Sequence, residues 1–120
     1  MRSSFKPAAG VVVLRHLDGD WNVLCLRTHA GTLDLTKGII DDHEDVFDAA
    51  LRETEEEASI TDLSFPFGKT PVIYDACTMF IGVTEQEPEI RRNPHSGIRE
   101  HSGYIWKPIV DAVNSEEIKP

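Results

Sequence analysis

Two apolar periods divide this chain. Residues 8–16 and 22–27 are rich in Val and Leu and read as two strands, and Asp18-Gly19-Asp20 between them has the chemistry of a tight hairpin turn. Over residues 45–58 the spacing changes to threes and fours. Phe47, Ala50, Leu51, Thr54 and Ala58 make the buried stripe of a helix, with Asp45 as its N-cap and Asp48 three residues on in a variant of the capping box. Residues 28–36 read as a loop with a short extended piece. Residues 63–67 form a further strand, which Pro66 and Gly68 make short or place at an edge. The β-branched and aromatic run over residues 70–83 predicts one central strand. Residues 103–106 form another short strand and 108–114 a final helix, with Pro108 near its first turn. This order predicts an α/β fold in which helices pack on the faces of a mixed sheet.

The helix also gathers acid. At about 100° per residue, Glu56 and Glu57 fall roughly 60° and 40° either side of Glu53, away from the apolar stripe. A run such as ETEEE is ordinarily a solvated helix face. Three carboxylates in one narrow sector repel one another, however, and a cation relieves that repulsion. A hard divalent ion, Mg²⁺ or Mn²⁺, prefers oxygen ligands and commonly shares its coordination sphere with substrate phosphates. Arg52, one residue before Glu53 and four before Glu56, is placed to clamp a carboxylate.

The spacing of Gly38, Glu44, Arg52-Glu53, Glu56-Glu57 and Ile60 resembles the Nudix box, written G-x5-E-x7-R-E-U-x-E-E-x-G-U with U aliphatic. Two positions depart from it. Thr54 stands for an aliphatic residue, a mild change because its methyl can still pack. Ser59 stands for the glycine that ends the helix, where positive φ is often needed. The resemblance implies an α/β/α sandwich and a hydrolase acting on a nucleoside diphosphate linked to another group. It assigns Glu53, Glu56 and Glu57 to a divalent metal, with the backbone carbonyl of Lys37 as a further ligand and Glu100 as a distal ligand or base. Glu53 and Glu100 are both candidates for the general base, Arg52 orients the carboxylates, and Glu44 supports them from behind. A metal in such a site offsets phosphate charge and lowers the pKa of a bound water.

The flanks are similar to the diadenosine tetraphosphate hydrolase branch of that family. Lys37-Gly38, Val72-Ile73-Tyr74 and Glu100-His101 with Tyr104 and Trp106 carry the likeness, while Leu33, Thr36 and Ile39 depart from it. It implies substrate contacts from Lys37, Tyr74, Arg91, His101 and Tyr104, with Arg91 and Arg92 facing outer phosphates. Each also has a structural reading: Lys37 as an exposed turn lysine, Tyr74 as packing, Glu100 as a surface acid, His101 as a loop support, and the arginines as solubilising charges. The rival substrates are ADP-ribose, nucleoside triphosphates and RNA 5′-triphosphate ends. A different class of protein, a nucleotide-binding sensor without turnover, is the other alternative.

Composition changes the picture in two places. The chain has 120 residues and a formal net charge of −9, which opposes broad binding to nucleic acid but permits a nucleotide substrate at a metal site. Its hydrophobic share of 40% and absence of a dividing linker predict one domain over residues 1–120. Cys25 and Cys77 are too few for a disulfide framework and read as buried thiols, the apolar N-terminal run is too short to span a bilayer, and the cytoplasm is the expected location. The short C-terminal part leaves little chain for a base-recognition wall, so either specificity is broad or a second subunit of a homodimer supplies it. Residues 114–120 are expected to fray.

Overall fold

A computed structural model describes residues 6–94 and 96–113. In chain order the elements are β1 (Ala8–Leu17), β2 (Asp20–Thr28), β3 (Leu33–Asp34), β4 (Thr36–Ile39), α1 (Val46–Ala58), β5 (Val72–Tyr74), β6 (Cys77–Val83), β7 (His101–Pro108) and α2 (Ile109–Val113). The strands form one mixed sheet, ordered β3-β2-β1-β6-β5, with β7 beyond β2 and β4 against the first half of β1. Among the described residues only the β1–β6 pairing is parallel; β1 meets β2 through residues 14–17 and β4 through residues 8–11, both antiparallel.

Alternation along the strands sorts side chains to two faces. Ala9, Val11, Val13, Leu24, Leu26 and Phe80 pack against Ala49, Ala50 and Ala58 of α1. Leu14, Val23, Cys25 and Leu33 form the core of the opposite face, where Ala112 of α2 packs. The expected α/β/α sandwich is therefore present.

The β1–β2 hairpin turns through Asp18 (φ 53°) and Gly19 (φ 84°), the pair of positive values that a two-residue turn matching strand twist requires. Asp45 caps α1 and accepts from the N–H groups of Phe47 (3.0 Å) and Asp48 (3.2 Å). At the other end Ser59 does adopt the left-handed conformation, φ 60° and ψ 30°, and its N–H reaches the carbonyl of Glu55 at 2.9 Å. The turn of the box survives without glycine.

Three strand expectations need correction. Residues 70–83 are two antiparallel strands, β5 and β6, because the chain reverses at Asp75-Ala76 with Asp75 at φ 51°; β6 is interior and β5 is the edge. Residues 63–67 make only an isolated bridge, Ser64 to Val83, since Pro66 has no N–H and Gly68 turns the chain at φ 92°. Residues 28–36 hold the expected short extended piece, β3, but a further strand that the pattern did not predict, β4, begins at Thr36 and carries Lys37 and Gly38 along β1. The final helix starts at Ile109, because β7 runs through Pro108. Asn114 and the tail lie outside the described residues.

The two polar departures at Thr36 and Thr54 meet in the core. Both side chains are buried, their hydroxyls lie 3.0 Å apart, Thr36 donates to the carbonyl of Val11 (2.9 Å), and Thr54 approaches that of Ala50 (2.8 Å). This pair ties α1 to β4, and replacing one hydroxyl takes from the other a buried polar neighbour. Thr54→Val is expected to cost about 1–2 kcal/mol, and adding Thr36→Val should cost less than the sum of the single changes. Urea denaturation of the four proteins in that cycle measures it.

Candidate active site

Helix α1 and strand β4 bring the box residues to one open cleft of about 570 Å³, lined by Lys37, Gly38, Ile39, Asp41, Arg52, Glu53, Glu56, Glu57, Asn93, Ser96 and Glu100. That volume suits a ligand with several polar groups rather than a bare ion. The helical period explains why Glu53, Glu56 and Glu57 share the cleft, and the β1–β4 pairing explains why Lys37 and Gly38 face them. Glu100 comes from the other wall, where Asn93 Nδ2 donates to its Oε2 at 2.8 Å.

Arg52 organises the acids. Its Nε and Nη2 grip both oxygens of Glu44 (2.8 and 3.0 Å), Nη1 meets Glu53 at 2.9 Å and Glu56 at 3.4 Å, and Nη2 also donates to the carbonyl of Ile39 (3.1 Å). The bond to Glu44 raises the guanidinium pKa most, and the same bond holds the Glu44 carboxyl below its usual range. Glu44 in turn accepts from the N–H of Asp41 at 3.0 Å, which fixes the approach to the helix.

Glu53 rests on Gly38 so closely that a Cβ there would lie 2.1 Å from its Oε1. This contact requires glycine, since the Gly38 φ does not fall in the left-handed region. Gly38→Ala is expected to displace the Glu53 carboxylate and lower kcat by about tenfold to a hundredfold, with little loss of stability because a flexible side-chain end yields. Steady-state kinetics paired with a thermal melt separates the two effects.

Glu57 is the deepest of the acids. It accepts from the N–H of Lys37 at 3.0 Å, yet burial, assisted by the charges of Glu53, Asp34 and Glu100, pushes its carboxyl up to about 9. Burial also raises Glu53, against the pull of Arg52. The cleft is short of positive charge at these two groups. A divalent ion would supply it, and the all-oxygen donor set suits Mg²⁺ or Mn²⁺. Among the described residues no three His, Cys, Asp or Glu side chains already converge on one point. Arg52 binds Glu53 through Oε2 alone and reaches Glu56 only at 3.4 Å, so it can keep both carboxylates oriented while their remaining lone pairs would serve an ion.

The other expected contacts divide. His101, buried at the start of β7, stands with Glu56, Glu57 and Glu100 around a small recess, and burial lowers its pKa. Arg91 lines that recess and a neighbouring cavity, with its Nε donating to Ser59 Oγ at 2.7 Å. Arg92 joins Arg91 in the second cavity and donates to the carbonyl of Gly97 at 3.1 Å. The ammonium of Lys37 pairs with Asp34; burial opposes its charge, the Asp34 partner outweighs burial, and the pKa is raised. Tyr74 lies on β5 near that pair rather than on the cleft lining. Tyr104 is not brought to the carboxylates: its hydroxyl donates to Glu87 at 2.6 Å, and Glu87 also holds Arg15 at 2.8 Å and Trp106 Nε1 at 3.4 Å. The sequence reading missed Asp34 and Asn93, which fix Lys37 and Glu100. Asp34 carries a weak local signal, an acid three residues before a lysine; Asn93 carries none.

A family model described as NUDIX domain matches residues 4–118. The chain belongs to the Nudix family. It is a Nudix hydrolase, of a family that hydrolyses pyrophosphate linkages and generally uses divalent metals. Among solved structures, a binary complex of the Ap4A hydrolase of C. elegans is 26% identical, with a TM-score of 0.72, covering 92% of this chain and 85% of that one. The NUDIX domain of Shewanella oneidensis NrtR, complexed with ADP ribose, shares the fold at 17% identity and a TM-score of 0.67, covering 98% of this chain and 81% of that one. The M. smegmatis Nudix hydrolase RenU does so at 17% and 0.71, covering 96% and 77%. No curated protein matches the chain. No helix among the described residues is long and apolar enough to cross a membrane.

Proposed function

We propose that this Nudix hydrolase is a Mg²⁺- or Mn²⁺-dependent pyrophosphohydrolase of dinucleoside polyphosphates, with diadenosine tetraphosphate as the foremost substrate. The observation that carries the chemistry is the cleft in which Glu53, Glu56 and Glu57 of α1 face Glu100 across a space large enough for a polyphosphate. The observation that favours this substrate is the similarity to the C. elegans Ap4A hydrolase over nearly the whole chain.

Glu53, Glu56, Glu57 and the Lys37 carbonyl would hold the metal, which when bound offsets phosphate charge and acidifies a water. Arg52 and Glu44 keep the ligand carboxylates in register. Glu100 is the better-placed base. It faces the others from the opposite wall on the Asn93 amide, whereas Glu53 is engaged by Arg52 and pressed on Gly38. The water oxygen bonds to one phosphorus, its proton passes to Glu100, and the bridging P–O bond breaks to release two nucleoside phosphates. Neutral His101 and the Arg91 side chain border the path of the outer phosphates.

Chromatography of products from diadenosine tetraphosphate, ADP-ribose, nucleoside triphosphates and 5′-triphosphorylated RNA tests the reading. The highest kcat/KM is expected for diadenosine tetraphosphate. A preference for any other member of the panel rejects the substrate assignment, and tight binding of all without products rejects hydrolysis.

A further inference from the structure

Ser59 does more than replace a turn glycine. Held in the left-handed conformation, it directs Oγ between two groups of the segment that follows β6: Oγ donates to the carbonyl of Glu89 at 2.8 Å and accepts from Arg91 Nε at 2.7 Å. Its own carbonyl accepts from Gln86 Nε2 at 3.0 Å, and Gln86 Oε1 accepts from the N–H of Thr61 at 2.9 Å. A further main-chain bond, from the N–H of Glu89 to the carbonyl of Ala58 at 2.9 Å, fastens the same segment to the end of α1. Glycine would keep that last bond and lose both contacts of Oγ.

Among the described residues near the cleft, Arg91 and Arg92 are the cations held by neutral groups, Arg92 by the carbonyl of Gly97 and Arg91 by a side-chain hydroxyl. Arg52 is bound to Glu44, Glu53 and Glu56, Lys37 to Asp34, and Arg15 to Glu87. The fixed partner of Arg91 is the neutral hydroxyl of Ser59, attached at Nε. Arg91 lines two adjoining spaces, one with Glu56, Asn93, Glu100 and His101, the other with Arg52, Arg92 and Pro94. In a chain with a formal net charge of −9, a guanidinium held by a neutral group keeps its charge available for an anion, and its planar fork suits phosphate oxygens.

We infer that Ser59 is a positioning residue that seats Arg91 in the spaces adjoining the cleft as the binding group for a substrate phosphate beyond the bond being cleaved. The inference rests on the pyrophosphohydrolase reading and adds to it the residue that grips the polyphosphate tail. Anchoring at Nε removes rotamer freedom that a mobile arginine would lose on each binding event.

Ser59→Gly gives the test, because glycine accepts positive φ without strain and the thermal midpoint should stay at or above that of the native protein. KM for diadenosine tetraphosphate is expected to rise about fivefold to twentyfold, with the change falling on KM rather than kcat, as loss of a charge-assisted contact far from the reacting atoms predicts. Arg91→Ala should do the same, and the double variant should be no worse than Arg91→Ala alone. Calorimetry with inorganic tripolyphosphate supplies a second readout that needs no turnover, and both variants should bind it several-fold more weakly. Weakened tripolyphosphate binding in a protein that hydrolyses no nucleotide supports the Ser59–Arg91 seat while removing the pyrophosphohydrolase reading. Unchanged tripolyphosphate affinity in a well-folded Ser59→Gly protein, or full additivity in the double variant, overturns the inference whatever the activity.

Discussion

Replacing Glu57 by glutamine is expected to lower kcat by about a thousandfold or more with the fold intact. Glutamine keeps the size of the side chain and an oxygen for the Lys37 N–H, but it removes the negative charge that the proposed divalent ion would need from the deepest acid of the cleft. Stability gives the matching control. In the metal-free protein the Glu57 carboxyl rises from an ordinary 4.5 to about 9 on folding, so the native state holds a proton that the unfolded chain has already lost. Such a group subtracts stability progressively as pH climbs from about 4.5 to about 9. Glutamine abolishes that loss. Metal-free Glu57→Gln should therefore melt no lower than the native protein at pH 7, and a scan of thermal midpoint against pH should be flatter for the variant. Glu100→Gln makes a useful contrast: a base on the opposite wall should cost about a hundredfold or more in kcat while leaving metal affinity closer to native.

The second large effect is expected at Arg52. Its guanidinium is the common partner of Glu44, Glu53 and Glu56, whose side chains are only 18%, 12% and 16% exposed. Arg52→Ala leaves three crowded carboxylates without their cation. Breaking a buried pair costs about 3–5 kcal/mol, and partial exposure of this one reduces the expectation to about 2–3 kcal/mol. For a domain of this size that is a fall in thermal midpoint of roughly 10 °C. Activity should drop about a hundredfold as well, since the ligand acids lose their fixed orientation. Arg52→Lys should recover part of the stability and little of the activity, because an ammonium cannot grip both oxygens of Glu44 while reaching Glu53. A lysine variant with native kcat would show that charge alone, without the fork, is enough.

What could be read from the sequence follows the range of the forces involved. Helix α1 was legible to its cap because Asp45 and the apolar stripe act within a few residues, and the same period places Glu53, Glu56 and Glu57 in one sector. The β1–β2 hairpin announced itself through Asp18-Gly19. The β5–β6 hairpin did not, since Asp75-Ala76 turns without glycine or asparagine and the apolar run continues on both sides of it. Strand β4 exists through its partner β1, a pairing that no local propensity reveals. The site shows the same division. Its acids and Arg52 sit at fixed spacing on one helix, whereas the bond of Asn93 to Glu100, of Tyr104 to Glu87 and of Arg91 to Ser59 joins elements distant along the chain. Thr54 and Ser59, read first as single departures from the box, make sense only with the Thr36 and Arg91 side chains that meet them in space.

The central claim is that the carboxylates of α1 jointly hold a divalent ion in the cleft. Titrating Mn²⁺ into the native protein and into Glu57→Gln, while following the electron paramagnetic resonance signal of the free ion, addresses it without substrate or turnover. The native chain is predicted to deplete the free signal at stoichiometric ion, and the variant to leave most of it. Equal depletion by both proteins, or none by the native chain, would contradict the account.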